Sequence, residues 1–132
     1  MSQIVVATAK GVRISPRKVA EVAALIRKRS VADALVILEH TPRRAAKPLH
    51  KVVSSAKANA VYNHRLAEGS LQITGIEVNG GSTMRRFKPV AHGGAHRILK
   101  RSSHVRVTLT GEEKPKKKTA APKAGGKKEE EE

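Results

Sequence analysis

Three amphipathic helices, then paired strands carrying a long basic ribbon, make this a mixed α and β chain by sequence. Three observations predict it. Apolar residues recur at helical spacing between residues 15 and 60. They alternate in Leu71–Val78, with one break of phase, and again in Val105–Leu109. Between those runs lie about 25 residues, Asn79 to His104, almost empty of core-forming side chains and too long for an ordinary turn.

The elements follow in order. Ile4-Val5-Val6 is β-branched, and Val12 and Ile14 keep alternate spacing, which predicts a strand over Ile4–Ile14. Ser15-Pro16 is a helix start: serine serves as N-cap, and proline sits where no backbone N–H is needed. Val19, Val22, Ala23 and Ile26 form its apolar stripe. Ser30 caps a second helix, with Asp33 three residues on, where its charge suits the positive helix end. Leu35, Val36 and Leu38 give that helix an apolar side. Thr41-Pro42 repeats the cap-plus-proline signal and predicts the longest helix, with the stripe Ala45, Leu49, Val52, Val53, Ala56 and Ala60. Pro48 either kinks it or ends an irregular first turn.

After the helices, Leu71 and Ile73 alternate, Gly75 breaks the phase, and Ile76 and Val78 resume it, the pattern of a bulged strand. That strand pairs with Val105, Val107 and Leu109, apolar set toward the helices. Gly93-Gly94 is the tight-turn candidate between the ribbon's arms. Arms of ten or more residues would project on the order of 30 Å.

Composition narrows the function. The 132 residues suffice for one domain, with a net charge of +16 and a pI near 10.9. Residues 1–110 hold 20 of the 27 Lys and Arg against five acids, so the body itself is basic. Such a balance favours phosphate polymers, because each neutralised phosphate releases a condensed counterion. Apolar runs such as Ala34–Leu38 fall far short of the about 20 residues a membrane span needs, and Met1–Thr8 lacks a secretory pattern. A cytoplasmic location is expected. No cysteine is present, which removes disulfides, thiolate metal sites and a cysteine nucleophile. Tyr62 and Phe87 are the only aromatic residues. The core must therefore be Val, Ile, Leu and Ala, and base stacking can supply little of any RNA affinity. Recognition by shape and phosphate contact is expected.

The ribbon is the strongest local feature. From Gly80 to Arg106 stand Arg85, Arg86, Lys88, Arg97, Lys100, Arg101 and Arg106, without one acid. An isolated two-stranded ribbon is marginal in water, and arginine matches phosphate in a two-pronged geometry. A solvated basic loop would carry the same charges. His92, His96 and His104 lack the partners of a metal site, and no metal or cofactor is expected. Gly80-Gly81-Ser82-Thr83 is not a phosphate loop, since no Gly-Lys-Ser/Thr follows. The body's acids, Glu21, Asp33, Glu39, Glu68 and Glu77, are scattered, so nothing supports catalysis or a small-molecule substrate.

Arg13 to Lys18 (RISPRK), Thr41-Pro42 with its Ala-rich helix, Ala58-Asn59-Ala60 and Arg97 to His104 (RILKRSSH), in that order, resemble the large-subunit ribosomal protein twenty-two family of bacteria. The likeness covers about residues 5–110. It implies an α+β fold: three helices packed on a small antiparallel three-stranded sheet, with a long protruding β-hairpin over about 80–104. It implies a structural constituent of the large ribosomal subunit that binds several domains of the large-subunit rRNA and aids their assembly. The partners would be that rRNA, neighbouring large-subunit proteins at the peptide exit tunnel, and the nascent peptide. The tip that lines the tunnel would comprise Arg86, Phe87, Lys88, Pro89, Val90, Ala91, His92, Gly93 and Gly94.

Arg13, Arg17 and Lys18, at the strand-to-helix junction, are expected to bind phosphate with the help of the helix N-terminus. Arg85, Arg86, Lys88, Arg97, Lys100 and Arg101 are expected to anchor the ribbon. Arg43, Arg44, Lys57, Asn59, Phe87, Ser102 and His104 complete the expected RNA-binding set. The tip departs from the family, which is denser in Arg and Lys where Val90, His92, Gly94 and His96 stand here. Residues 111–132 hold seven Lys and six Glu and no large apolar side chain, the composition of a disordered charged tail. Two other readings remain open at this point: a double-stranded DNA-binding protein that uses the lysine-rich tail, and a small adaptor that holds a protein through its helices.

Overall fold

The computed structural model describes residues 2–113. Its elements are β1 (Ser2–Val12), α1 (Pro16–Ile26), α2 (Val31–His40), α3 (Ala46–Ala58), β2 (Gln72–Gly80), β3 (Met84–Pro89), β4 (Ala95–Lys100) and β5 (Ser103–Glu112). The fold is α+β. β5 lies at the centre of a three-stranded antiparallel sheet, with β1 on one side and β2 on the other. The helices cover one face. Val105, Val107 and Leu109 of β5 point inward with Val5 and Ala7 of β1 and Ile73 and Ile76 of β2, against the stripes of α1 and α3.

The core holds no aromatic residue, and Tyr62 and Phe87 are 82% and 74% exposed. Close packing of branched and small aliphatic residues fills it instead. Every expected stripe position of α1 and α3 is buried. The bulge at Gly75 is present: β2 and β5 shift register between Ile73 and Gly75.

Four expectations change. β1 is shifted toward the N-terminus, running Ser2–Val12 rather than Ile4–Ile14, because Gly11 turns the chain in a left-handed conformation (φ 70°) beside a second register shift. Val36 is 54% exposed, and α2 buries Val31, Ala34 and Leu38 instead. α3 begins at Ala46, not after Thr41-Pro42. The Thr41 hydroxyl donates to the Ile37 carbonyl at 2.6 Å and so closes α2 rather than opening α3. Pro48 then falls in the first turn of α3, where its missing N–H costs no hydrogen bond. Finally, β5 runs through Gly111 to Glu112, Glu113 bridges Leu66, and the Gln3 side chain donates to Glu113. The segment expected to be a tail thus joins the sheet at its start, and residues 114–132 lie outside the described residues.

The ribbon forms as a separate two-stranded sheet of six β3/β4 pairs, Met84↔Lys100 to Pro89↔Ala95. It is not one uninterrupted hairpin. The β2/β5 ladder ends at Gly80↔Ser103, and a short irregular stretch joins the two. There the Gly81 N–H donates to the Ser102 carbonyl at 2.8 Å, and the Ser102 hydroxyl donates to the Ser82 carbonyl at 2.5 Å. The turn between the arms is a single short helical turn, Ala91–Gly93, closed by the Val90 N–H on the Gly94 carbonyl at 3.0 Å, with His92 and Gly93 both at positive φ.

Candidate nucleic-acid interface

A strongly basic cleft is assembled from three segments far apart in sequence. Arg13 and Lys18 flank the β1–α1 junction, Arg43 and Arg44 lie in the turn before α3, and Lys100 and Arg101 stand at the base of the ribbon. Together with Ile14, Met84 and Leu99 they wall a cleft of about 500 Å³. Ser15 and Ala45, the N-cap residues of α1 and α3, line it too. Two helix N-termini, each carrying partial positive charge, therefore lie beside six full cations. A cleft of one sign focuses the field and concentrates anions. Its small apolar wall offers a surface for sugar or base, and its charge calls for phosphate.

The local chemistry explains how the cations reach this place. Ser15 caps with its backbone: its carbonyl accepts from the Lys18 and Val19 N–H groups at 3.1 and 3.3 Å, and its side chain makes no cap bond. Arg43 is held by backbone, donating its N–H to the Thr41 carbonyl at 2.8 Å and accepting from Ala46 at 3.0 Å. Glu21 approaches the Arg43 guanidinium at 3.7 Å, an exposed contact that phosphate can displace.

Other expected residues fall in different places. Arg17 is exposed on α1 but does not line the cleft. Arg85, Lys88 and Arg97 are exposed along the ribbon beside Phe87. Arg86 is exposed as well, its guanidinium donating to the Arg85 carbonyl at 2.8 Å. The tip residues Pro89, Ala91, His92, Gly93 and Gly94 are exposed, and Val90 is half-buried. Lys57 pairs with Glu68, at the far end of α3 from the cleft. Asn59 begins a π-helical turn (Asn59–Asn63) and is half-buried, its side-chain oxygen near the Asn63 amide at 3.5 Å. Ser102 is buried and its hydroxyl is used on Ser82. The His104 Nδ1 accepts from the Gly11 N–H at 2.9 Å and so fastens the end of β1. These last two side chains are engaged within the chain.

A second cleft of about 650 Å³ adjoins the first, with Arg43 and Arg44 as the shared wall and Lys47, His50 and Lys51 on its α3 side. Sequence reasoning reads His50 as a helix-surface or RNA contact and leaves Lys47 and Lys51 out of the expected set. The signal was there: Lys47 and Lys51 are four residues apart, on the helix face opposite the apolar stripe. Among the described residues, no group of three or more His and acidic side chains is placed to hold a metal ion, and no helix is long and apolar enough to cross a membrane.

The family model described as ribosomal protein L22p/L17e matches residues 7–110. A protein named large ribosomal subunit protein uL22 from Clostridioides difficile is 50% identical over 103 residues, 78% of this chain and 93% of that one. Its namesake from Oceanobacillus iheyensis is 49% identical over 104 residues, 79% and 92% of the two chains. The one from Lacticaseibacillus casei is 49% identical over 107 residues, 81% and 92%. With a match across most of the chain and identities near one half, this chain belongs to the ribosomal protein L22p/L17e family.

Proposed function

We propose that this protein is a structural constituent of the large ribosomal subunit, in the cytoplasmic ribosome, and that it binds the large-subunit rRNA with the basic cleft and the ribbon. It is a non-enzymatic protein, as its family is. One observation carries the reading: Arg13, Lys18, Arg43, Arg44, Lys100 and Arg101 converge with two helix N-termini on a single cleft. Six cations held so close repel one another, and a polyanion that neutralises them relieves that repulsion. Because those cations come from both ends of the chain and its middle, the cleft suits an RNA junction where separate strands meet. That supports contact with more than one rRNA domain and a part in assembling them. Affinity for large-subunit rRNA, measured between about 50 and 200 mM salt, should fall with a log–log slope of roughly −4 to −5 if six phosphates are neutralised. A slope near zero would contradict phosphate binding.

The ribbon tip, Arg86 to Gly94, is assigned to the wall of the peptide exit tunnel, beside neighbouring large-subunit proteins and the nascent peptide. The support is its exposure and its freedom from acids, together with family membership. A photo-crosslinking side chain at Phe87, 74% exposed, should capture nascent peptide in stalled ribosomes. Capture of rRNA alone, with no nascent chain, would place the tip elsewhere.

A further inference from the structure

We infer that the second cleft holds one unpaired guanine base of the RNA whose phosphates lie on the first cleft. The inference rests on reading the basic cleft as an RNA site, and it adds a base preference to that site.

The two clefts share a wall and differ in chemistry. The first is walled by cations from three segments and lined by two helix N-caps. The second, of about 650 Å³, has an aliphatic floor of Leu38, Pro42 and Ala46 and a single carboxylate, Glu39. Its volume lies within the ~300–1,000 Å³ range of small-ligand sites. Glu39 belongs to the last turn of α2, the end at which aligned peptide dipoles leave partial negative charge. That side of the cleft repels phosphate and attracts N–H donors. An aliphatic floor beside a carboxylate suits the flat face and the donor edge of a base. The phosphates flanking such a base meet Arg43 and Arg44 on the shared wall, and Lys47 and Lys51 on the α3 side.

Glu39 selects among the bases. It is exposed and makes no ion pair among the described residues. A carboxylate offers two acceptor oxygens and no donor. Guanine presents its ring imino N–H and its amino group side by side on the Watson–Crick edge, so both oxygens are satisfied at once. Adenine and cytosine offer an amino group beside a bare ring nitrogen, and the imino N–H of uracil lies between two carbonyls. Each of these sets a lone pair against Glu39. A base is read at that edge only where it is unstacked and turned out, so the strand must be unpaired there. Continuity of the two clefts across Arg43 and Arg44 favours a base within a strand over a free nucleotide, whose few phosphates would leave the first cleft unfilled.

The test uses the full chain and two short RNA strands of equal length, one all uridine and one with a single central guanosine. The guanosine strand should bind about tenfold more tightly, with the same salt slope, because the phosphate count is the same. Inosine in place of guanosine, which lacks the amino group, should lose most of that preference. Glu39→Gln should abolish the preference and slightly tighten binding of the uridine strand, since a negative charge is removed; damage to the fold would instead weaken both strands. Equal affinity of the natural chain for the two strands, or a preference that survives Glu39→Gln, overturns the inference while leaving salt-dependent RNA binding intact. GTP that competes on equal terms with the guanosine strand moves the site to a free nucleotide and overturns the assignment to RNA. Failure of both strands to bind even at low salt rejects the RNA reading itself, and the inference with it.

Discussion

Single side chains here divide into those that face outward as charge and those that hold the ladder at the root of the ribbon. On the proposed reading, in which each side chain neutralises one phosphate, Arg13→Gln or Lys100→Gln should weaken rRNA binding and lower the salt slope by about one each. Ser102→Ala should leave that slope unchanged and instead lower folding stability by about 1 kcal/mol, since its buried hydroxyl serves the Ser82 carbonyl. Denaturant melts beside binding curves separate the two; a slope change in Ser102→Ala would make it an RNA contact after all. Gly81 is constrained in the same region. A Cβ there would lie 2.6 Å from the Ser102 oxygen, so Gly81→Ala should destabilise by roughly 1–3 kcal/mol. The sequence shows Ser102 and His104 only as polar residues in a basic stretch. Their duties depend on Ser82, twenty residues away, and on Gly11, ninety-three residues away, which no local pattern reports.

At the scale of elements, periodicity was a good guide wherever burial alone decided. The stripes of α1 and α3, the Gly75 bulge and the β2/β5 pairing were legible because each is a pattern of apolar positions on one face. Capping was less legible, because one motif serves two ends. Thr41-Pro42 looks like a helix start, yet a threonine that takes up an orphan carbonyl followed by a proline also ends a helix, and that is its use on α2. The α2 face misled through Ala34: small residues pack closely, so the buried side falls on Val31, Ala34 and Leu38 and turns Val36 outward. The caps themselves can be told apart. Ser30 accepts from the Asp33 N–H at 3.2 Å, whereas the Ser15 side chain makes no cap bond. Ser30→Ala should therefore cost about 1 kcal/mol and Ser15→Ala only a small fraction of that, read from thermal or urea unfolding. For the ribbon, six pairs with nearly every side chain exposed cannot hold their own hydrogen bonds against water. In the free protein, amides of β3 and β4 should exchange far faster than those of β5, and binding rRNA should slow them. Equal protection of β4 and β5 without RNA would show a ribbon stable by itself.

Seen whole, the molecule is a small aliphatic body whose surface is organised around charge. The net of +16 was plain from composition, and so was its seat in residues 1–110. Where the charges meet was not. Arg13, Arg43 and Arg101 are thirty and fifty-eight residues apart, and only the packing of α1 and α3 over the sheet, with the ribbon rising from the same end, brings them to one cleft. The helix N-termini were readable one at a time, but their convergence was not. That convergence turns a generally basic protein into one suited to holding separate RNA strands together.

The central claim is that the chain is a part of the large ribosomal subunit, and sedimentation of cell lysate through a sucrose gradient at moderate salt tests it most directly. The protein, followed by antibody, should travel with the large subunit and with whole ribosomes at about one copy for each large-subunit rRNA, and should leave them only as salt is raised. Protein found with DNA, or at the top of the gradient while intact large subunits sediment without it, would contradict the claim.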